Sequence, residues 1–162
     1  MSNIKFKVGS LYAGVGGICQ GFKNSGFKIT WANEIDKHAC ITYRENFSHL
    51  LYEKDVMNLN PSELSYIDVL AGGFPCQPFS VAGYKKGFED ERGNHFFRIL
   101  TFIDKLRPKV IFLENVKNLI SHDSGNTFKI IKNEIKKRNY SFHAKVLNTK
   151  DFGNIPHNRE RI

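Results

Sequence analysis

The sequence predicts an α/β fold built on a parallel sheet. Apolar segments of strand length alternate with segments of helical periodicity, and this order repeats along the 162 residues. The first apolar segment runs into a glycine-rich turn that opens a helix, an arrangement typical of doubly wound sheets. The length suits one compact domain.

Four strands are predicted in the first half of the chain, at residues 6–12, 28–33, 50–53 and 67–71. A helix is predicted over residues 17–24, and Asp36 can cap a second helix that runs to about residue 46. Asn60, Pro61 and Glu63 form the pattern of a helix start.

The second half begins with a long segment, residues 74–92, that shows no regular period and is predicted to be a functional loop. Apolar residues at helical spacing then predict a helix that ends before Pro108: Phe96, Ile99, Leu100, Ile103 and Leu106. A strand at 109–113, a basic amphipathic helix near residues 128–135 and a strand at 142–147 complete the pattern. The lysine-rich face of that helix is interpreted as a solvated surface.

Charge and cysteine content limit the classes of partner. Lys and Arg total 24 against 16 Asp and Glu, a formal charge of +8, which suits a nucleic-acid partner and an ordinary basic protein equally. The three cysteines include no Cys-x-x-Cys pair, which disfavours a disulfide framework and a zinc site, and no metal is expected. With no signal core or membrane-length apolar run, we expect a cytoplasmic protein without a membrane partner.

A glycine turn, Tyr12-Ala13-Gly14-Val15-Gly16-Gly17, is the first candidate site. Its glycines let the backbone approach a ligand at a helix N-terminus. Glu34 lies twenty residues after Gly14, where doubly wound folds place an acid on ribose hydroxyls, and Asp55 can accept a hydrogen bond from an adenine amino group. Because no Gly-Lys-Ser/Thr loop follows, S-adenosylmethionine fits as well as a dinucleotide.

Cys76 is the candidate nucleophile. It lies between two prolines in Gly72-Gly73-Phe74-Pro75-Cys76-Gln77-Pro78-Phe79-Ser80, at the ligand end of a predicted strand. A thiol attacks as the thiolate, which backbone N–H groups or cations can stabilise. This position is poor for core packing, whereas Cys19 and Cys40 lie on predicted helices and fit a buried structural role.

Two further elements carry groups that suit a pyrimidine. Glu114 follows the fifth predicted strand, and its carboxyl group can hold a ring nitrogen and an exocyclic amine. Arg159 and Arg161 present planar donor forks that suit a carbonyl oxygen or a phosphate.

Together these segments resemble the bacterial DNA (cytosine-5) methyltransferases of restriction-modification systems. The resemblance rests on Ala-Gly-Val-Gly-Gly, the cysteine segment, Glu-Asn-Val and Arg-Glu-Arg, in that order, and covers residues 8–162. It implies a Rossmann-like, S-adenosylmethionine-dependent methyltransferase fold acting on duplex DNA. Phe79-Ser80 favours the DNA branch over the related enzymes that methylate tRNA.

The resemblance also implies roles for individual residues. A flipped cytosine would bond through C6 to Cys76, with Glu114 at N3 and N4, Arg161 at O2, and Arg159 in the same catalytic group. The cofactor pocket would be lined by Tyr12, Ala13, Gly14, Gly16, Gly17, Glu34, Ile35, Asp55, Val56, Gly73 and Pro75. The loop that meets DNA would include Gln77, Ser80 and Arg92.

The chain departs from the family pattern at a few positions. Tyr12 stands where Phe is usual, Ile35 where an aromatic residue is frequent, and Asn154-Ile155-Pro156-His157 replaces a commoner Ile-Pro-Gln.

Family members continue beyond the segment that ends here at Ile162. We therefore expect residues 1–162 to form an incomplete catalytic and cofactor-binding domain that lacks its last sheet strands and the target-recognition domain. Such a fragment or split subunit would have little or no activity alone and expose a sheet edge that favours association. A complementary C-terminal chain that carries the target-recognition region is one partner that could complete it. The alternatives are a non-catalytic remnant that binds S-adenosylmethionine or nucleic acid and, less favoured, a tRNA methyltransferase.

Overall fold

A five-stranded parallel sheet dominates the computed structural model, which describes residues 5–75, 94–153 and 157–162. The strand order is β3-β2-β1-β4-β5, so the chain winds outward on both sides of the central strand β1, as predicted for a doubly wound fold. The strands are β1 Lys7–Leu11, β2 Lys28–Glu34, β3 Leu50–Glu53, β4 Val69–Gly72 and β5 Val110–Leu113.

The longer helices agree closely with the sequence pattern. They are α1 Gly17–Asn24, α2 Lys37–Asn46, α3 Asn94–Leu106 and α4 Asn126–Lys137. Asp36 caps α2 as predicted, because its Oδ1 accepts the Ala39 N–H at 2.7 Å. Four of the five apolar residues that predicted α3 are buried, and Leu106 is half-buried. No helix in the described ranges is long and apolar enough to cross a membrane.

The chain divides into two compact units. The first comprises Met1–Phe74 and Arg98–Leu113 and holds the parallel sheet. The second comprises Pro75–Phe97 and Glu114–Ile162. It contains α4 and an antiparallel pair of short strands, β6 Leu147–Asn148 and β7 Glu160–Arg161.

Both described cysteines lie in the core of the first unit. Cys19 on α1 and Cys40 on α2 are fully buried, which confirms their interpretation as structural residues. The Tyr43 hydroxyl donates to Cys19 Sγ at 3.1 Å and lies 2.6 Å from His49 Nε2. Burial raises the pKa of the Cys19 thiol and of the Tyr43 hydroxyl, so both groups stay neutral at pH 7.

Two secondary-structure predictions are wrong. Residues 142–147 alternate like a strand, but only Leu147 pairs in a ladder, and the Phe142 ring packs edge-on against Phe128 of α4 instead. The pattern at Asn60 opens a single 3₁₀ turn, Pro61–Glu63, and not an α-helix. Leu64 is buried directly after that turn. The residues that follow do not form the apolar stripe that a longer helix would need to pack against the core.

Strand β5 forms one edge of the sheet in the described part of the chain. Val110 and Phe112 on this strand are 53% and 44% exposed. The Phe112 ring also meets Phe22 edge-on, with centroids 5.4 Å apart. An exposed apolar edge of this kind can pair with another strand.

Candidate functional site

The glycine turn joins β1 to α1 in the first unit, and its backbone is left-handed at Tyr12, Gly14 and Gly16, with φ of 54°, 56° and 98°. A Cβ added at Gly14 would meet no atom within 4 Å, so the space beside this residue is open to a ligand. At Gly16 an added Cβ would lie 2.3 Å from Cε2 of Phe47. Gly14 therefore leaves room for a ligand, whereas Gly16 permits close packing.

Helix α1 starts at this turn without a side-chain cap. Gly16 occupies the N-cap position, and Gly17 is the first helical residue. The turn itself is held by two backbone bonds, from Ala13 N–H to Asn33 O at 3.0 Å and from Gly16 N–H to Ala13 O at 2.9 Å. The first amides of a helix have no acceptor within the helix, so those of α1 can donate to a carboxylate or another anion.

Glu34 connects the glycine turn to the end of β2. Its Oε2 accepts the Gly14 N–H at 2.7 Å, while Oε1 accepts the N–H groups of Ile35 and Asp36 at 2.8 and 2.9 Å. An ionised carboxylate has about four acceptor positions. These contacts therefore leave about one position for a ribose hydroxyl.

Asp55 follows β3 and caps the 3₁₀ turn Val56–Asn58. Its Oδ1 accepts the Met57 N–H at 2.9 Å, whereas Oδ2 makes no hydrogen bond within the described ranges. Val56 is buried. An acceptor beside an apolar side chain suits a base that carries an amino group, so this corner fits the adenosine part of S-adenosylmethionine.

Sequence reasoning missed Asn33, which aligns the ends of β2 and β3. Its side chain is buried, and Nδ2 donates to Tyr52 O at 2.9 Å and to Lys54 O at 2.7 Å. These bonds hold the segments that carry Glu34 and Asp55 next to each other. The available signal was a polar residue at the end of an apolar strand, because a buried amide needs nearby partners.

The other predicted cofactor residues follow strands β1, β2 and β4 in the sequence. Burial, followed by the charge of Asp55, raises the pKa of the Tyr12 hydroxyl, which stays neutral. Ile35 is 60% exposed and offers an apolar surface without a ring. Gly73 directly follows β4, and Pro75 is exposed at the end of the first described range.

Glu114 and Arg161 form an ion pair in the second unit. Arg161 Nε donates to Glu114 Oε1 at 2.8 Å, and the two side chains are 23% and 32% exposed, respectively. Asn115 and Ile162 exchange backbone hydrogen bonds of 2.7 and 2.9 Å, and Val116 bridges Arg161 in antiparallel fashion. The backbone pairing therefore places the carboxylate beside the guanidinium.

Arg159, predicted to belong to the same catalytic group, does not join this pair. Arg159 is exposed, and its backbone carbonyl accepts the Thr149 N–H at 3.0 Å. Its guanidinium makes no ion pair within the described ranges. Glu160, between the two arginines, instead binds Lys117 Nζ at 2.9 Å.

The predicted nucleophile and the predicted DNA loop lie outside the described residues. These positions are Cys76, Gln77, Ser80 and Arg92, and the same holds for Asn154, Ile155 and Pro156. Their roles stay predictions from the sequence.

The doubly wound sheet, the glycine turn with its two acids and the Glu114–Arg161 pair define a class of protein. The chain belongs to the C-5 cytosine-specific DNA methylase family, whose model matches residues 6–162. This confirms the resemblance identified from the cysteine motif and the segments that follow it.

Particular relatives are the Type II methyltransferases of bacteria. The chain is 54% identical over 158 residues to M.Bsp6I of Bacillus sp. (strain RFL6), covering 96% of this chain and 50% of that protein. It is 47% identical over 152 residues to M.HhaI of Haemophilus parahaemolyticus, covering 94% of this chain and 46% of that protein. The chain thus spans about half the length of the curated relatives it matches.

Solved structures agree on the fold. A DNA modification methyltransferase encoded within a prophage (E. coli) superposes with a TM-score of 0.79 at 28% identity, over 97% of this chain and 45% of that one. S. pombe Dnmt2 methyltransferase superposes with a TM-score of 0.73 at 21% identity, over 97% and 48% respectively. The α/β methyltransferase fold expected from the sequence is therefore confirmed.

Proposed function

We propose that this chain carries the cofactor-binding and catalytic portion of a DNA cytosine-C5 methyltransferase. The observation that carries the proposal is the contact of Glu114 with Arg161 at 2.8 Å, in a chain of the C-5 cytosine-specific DNA methylase family. A carboxyl group and a guanidinium side by side complement the amine, ring nitrogen and carbonyl along one edge of cytosine.

The proposed cofactor is S-adenosylmethionine, which supplies the methyl group. Gly14 leaves open space beside the turn, Glu34 retains about one acceptor position, and Asp55 Oδ2 has no hydrogen bond in the described ranges. These features suit the methionine, ribose and adenine parts, in that order. Ile35 and Val56 provide apolar surface, and Tyr12, Ala13, Gly16, Gly17, Gly73 and Pro75 complete the proposed lining.

In the proposed reaction the Cys76 thiolate adds to C6 of a cytosine flipped out of the duplex. Glu114 hydrogen-bonds N3 and the amino group, and Arg161 donates to O2, so the ring accepts the added electron pair and C5 becomes nucleophilic. C5 would then take the methyl carbon that S-adenosylmethionine supplies, and the carbon–sulfur bond of that methyl group would break so that S-adenosylhomocysteine leaves. Loss of the C5 proton and departure of the Cys76 sulfur then restore the aromatic ring.

Duplex DNA is the proposed substrate, and Arg159 with Gln77, Ser80 and Arg92 are proposed to contact it or support the reacting residues. Since the curated relatives are about twice as long, we propose that residues 1–162 act together with a segment that reads the DNA target. That segment belongs to the same protein or to a complementary C-terminal chain.

The proposal is tested by transfer of a radiolabelled methyl group from S-adenosylmethionine to duplex DNA. The chain is assayed alone and mixed with the C-terminal half of a Type II relative. We expect label at cytosine C5 in the mixture, none with Cys76→Ala, and unchanged cofactor binding by that variant. Cys19→Ala is the matched control, because Cys19 is buried in α1; it should retain transfer.

Other outcomes would select the alternatives. Cofactor binding without transfer in any mixture would favour a non-catalytic remnant. Transfer to tRNA and not to duplex DNA would favour the tRNA branch. Cys76→Ala with wild-type transfer would reject the mechanism.

A further inference from the structure

Arg98 on α3 reaches across to the turn that carries Asp55 and Val56. Its Nε donates to Val56 O at 3.0 Å, and its Nη2 donates to Leu59 O at 2.6 Å. Val56 begins the 3₁₀ turn Val56–Asn58 and Leu59 caps its end. One planar guanidinium therefore holds both ends of this turn.

The guanidinium is fixed from its own helix as well. Arg98 Nη1 donates to Thr101 Oγ1 at 3.2 Å, and the Thr101 hydroxyl donates back to Arg98 O at 2.7 Å. The guanidinium carbon lies 5.0 Å from the centroid of the Phe102 ring, within the range of a cation–π contact. A donor held this rigidly transmits the position of α3 to the turn.

Asp55 depends on the geometry of that turn. Its Oδ1 is bound to the Met57 N–H at 2.9 Å, so the backbone at positions 56 and 57 determines where Oδ2 points. Electrostatics link the same groups: burial lowers the pKa of Arg98, whereas the nearby Asp55 carboxylate raises it. The contacts thus run from the guanidinium through the Val56 carbonyl to the carboxylate.

We propose that Arg98 is a positioning residue that sets the Asp55 carboxylate for recognition of the adenosine part of the cofactor. The inference rests on the proposed function, because it needs a cofactor with an adenosine part. The proposed role of Arg98 involves no contact with the reacting atoms. It acts on cofactor affinity through the turn.

Calorimetric binding of adenosine and of S-adenosylmethionine to the folded chain tests this inference. Arg98→Met keeps the length and apolar bulk of the side chain but removes its donors. We expect the Kd of both ligands to rise roughly tenfold, as for loss of one well-placed contact. Arg98→Lys should recover part of the affinity, since an ammonium can reach one carbonyl but lacks the fork.

Arg138→Met is the matched control. Arg138 is half-buried at the C-cap of α4, and its Nη1 donates to Glu134 O at 3.0 Å and to Glu134 Oε2 at 2.9 Å. This variant loses a comparable guanidinium in the second unit, whereas Asp55 belongs to the first. We expect its melting temperature to fall while both Kd values change less than about twofold.

A double-mutant cycle with Asp55→Asn separates positioning from general stability. If Arg98 acts through Asp55, Arg98→Met should weaken adenosine binding by less than about twofold in the Asp55→Asn background. Independent, multiplicative losses in the double variant would overturn the inference. If Arg98→Met does not fold, the same cycle is run with Arg98→Lys.

The binding data also separate this inference from the proposed function. A wild-type chain that binds neither ligand contradicts both. A wild-type chain that binds both ligands, with equal affinity in Arg98→Met, overturns the role of Arg98 alone.

Discussion

Arg161 Nε donates to the Glu114 carboxylate at 2.8 Å, and the antiparallel bridge between Val116 and Arg161 holds the two residues in register. The sequence predicts both residues as candidates that suit a pyrimidine, but it does not show that their side chains meet. Their contact places a guanidinium and a carboxylate on the same small patch of the second unit. The first prediction follows from this pair.

Glu114→Gln should lower the rate of methyl transfer by about 10²–10³-fold, the usual cost of losing one group that stabilises charge in the reacting ring. The amide retains the shape of the side chain but loses the charge that pairs with Arg161. Cofactor affinity should be unchanged. The measurement is kcat on duplex DNA in the mixture that contains the C-terminal half of a relative.

Glu160→Gln is the control for that experiment. Glu160 precedes Arg161 but forms an exposed ion pair with Lys117, and such pairs contribute about 0–1 kcal/mol. Its kcat should remain near that of the wild type. Equal losses in the two variants would show that Glu114 has no particular role.

Gly16→Ala should destabilise the first unit by about 1–3 kcal/mol. The added methyl group would lie 2.3 Å from Cε2 of Phe47, at a φ of 98° that strains any L side chain. Urea denaturation measures the effect. Gly21→Ala in α1 is the control: its Cβ meets nothing within 4 Å, and alanine favours a helix, so stability should rise slightly. A fully stable Gly16→Ala would contradict the packing described here.

Asp68 should make stability depend on pH below about 4. Hydrogen bonds lower its pKa to about 2, first from Lys109 and then from the Lys7 N–H, with a further bond from the Tyr66 hydroxyl. Because the folded pKa lies below the unfolded value of about 3.9, this stabilisation is complete above pH 4 and is lost as the pH falls towards 2.

Urea midpoints between pH 7 and pH 2 measure this effect. Asp68→Asn should be less stable than the wild type at pH 7, and the difference between the two should shrink towards pH 2. A constant difference would show that Asp68 is not ionised preferentially in the folded chain.

Val110→Lys should reduce self-association through the exposed edge of β5. A charge on an edge strand opposes edge-to-edge pairing, and Val110 is 53% exposed. Sedimentation velocity over a concentration series measures the change. Ile41→Lys is the control, since Ile41 is similarly exposed, at 58%, but lies on helix α2. Equal effects of the two changes would show that a charge added anywhere on the surface reduces association, and that the edge of β5 has no particular role.

The sequence predicted those parts of the fold whose signals are local. Asp36 caps α2 through its own neighbours, and the bounds of α1 follow from the turn before it and the polar end after it. The prediction of a strand at residues 142–147 is wrong because an alternating pattern alone does not show whether a neighbouring strand is present to pair with it. Phe142 found a partner in the Phe128 ring instead.

The candidate site shows the same division. Gly14, Glu34 and Asp55 could be proposed from their spacing around predicted strands, and the structure joins Gly14 to Glu34 by a hydrogen bond of 2.7 Å. Asn33 and Arg98 could not, because their roles come from carbonyl groups far away in the chain. A side chain that binds a distant backbone leaves no periodic signal in the sequence.

Capture of the covalent intermediate tests the central claim most directly. In a duplex with 5-fluorocytosine at the target position, fluorine replaces the C5 proton whose loss precedes departure of the sulfur. We predict that, with S-adenosylmethionine and the C-terminal half of a relative, Cys76 remains bonded to the DNA. Peptide mass spectrometry should locate the bond at Cys76, and Cys76→Ala should form none. A bond at another residue, or an equal yield from Cys76→Ala, would contradict the account.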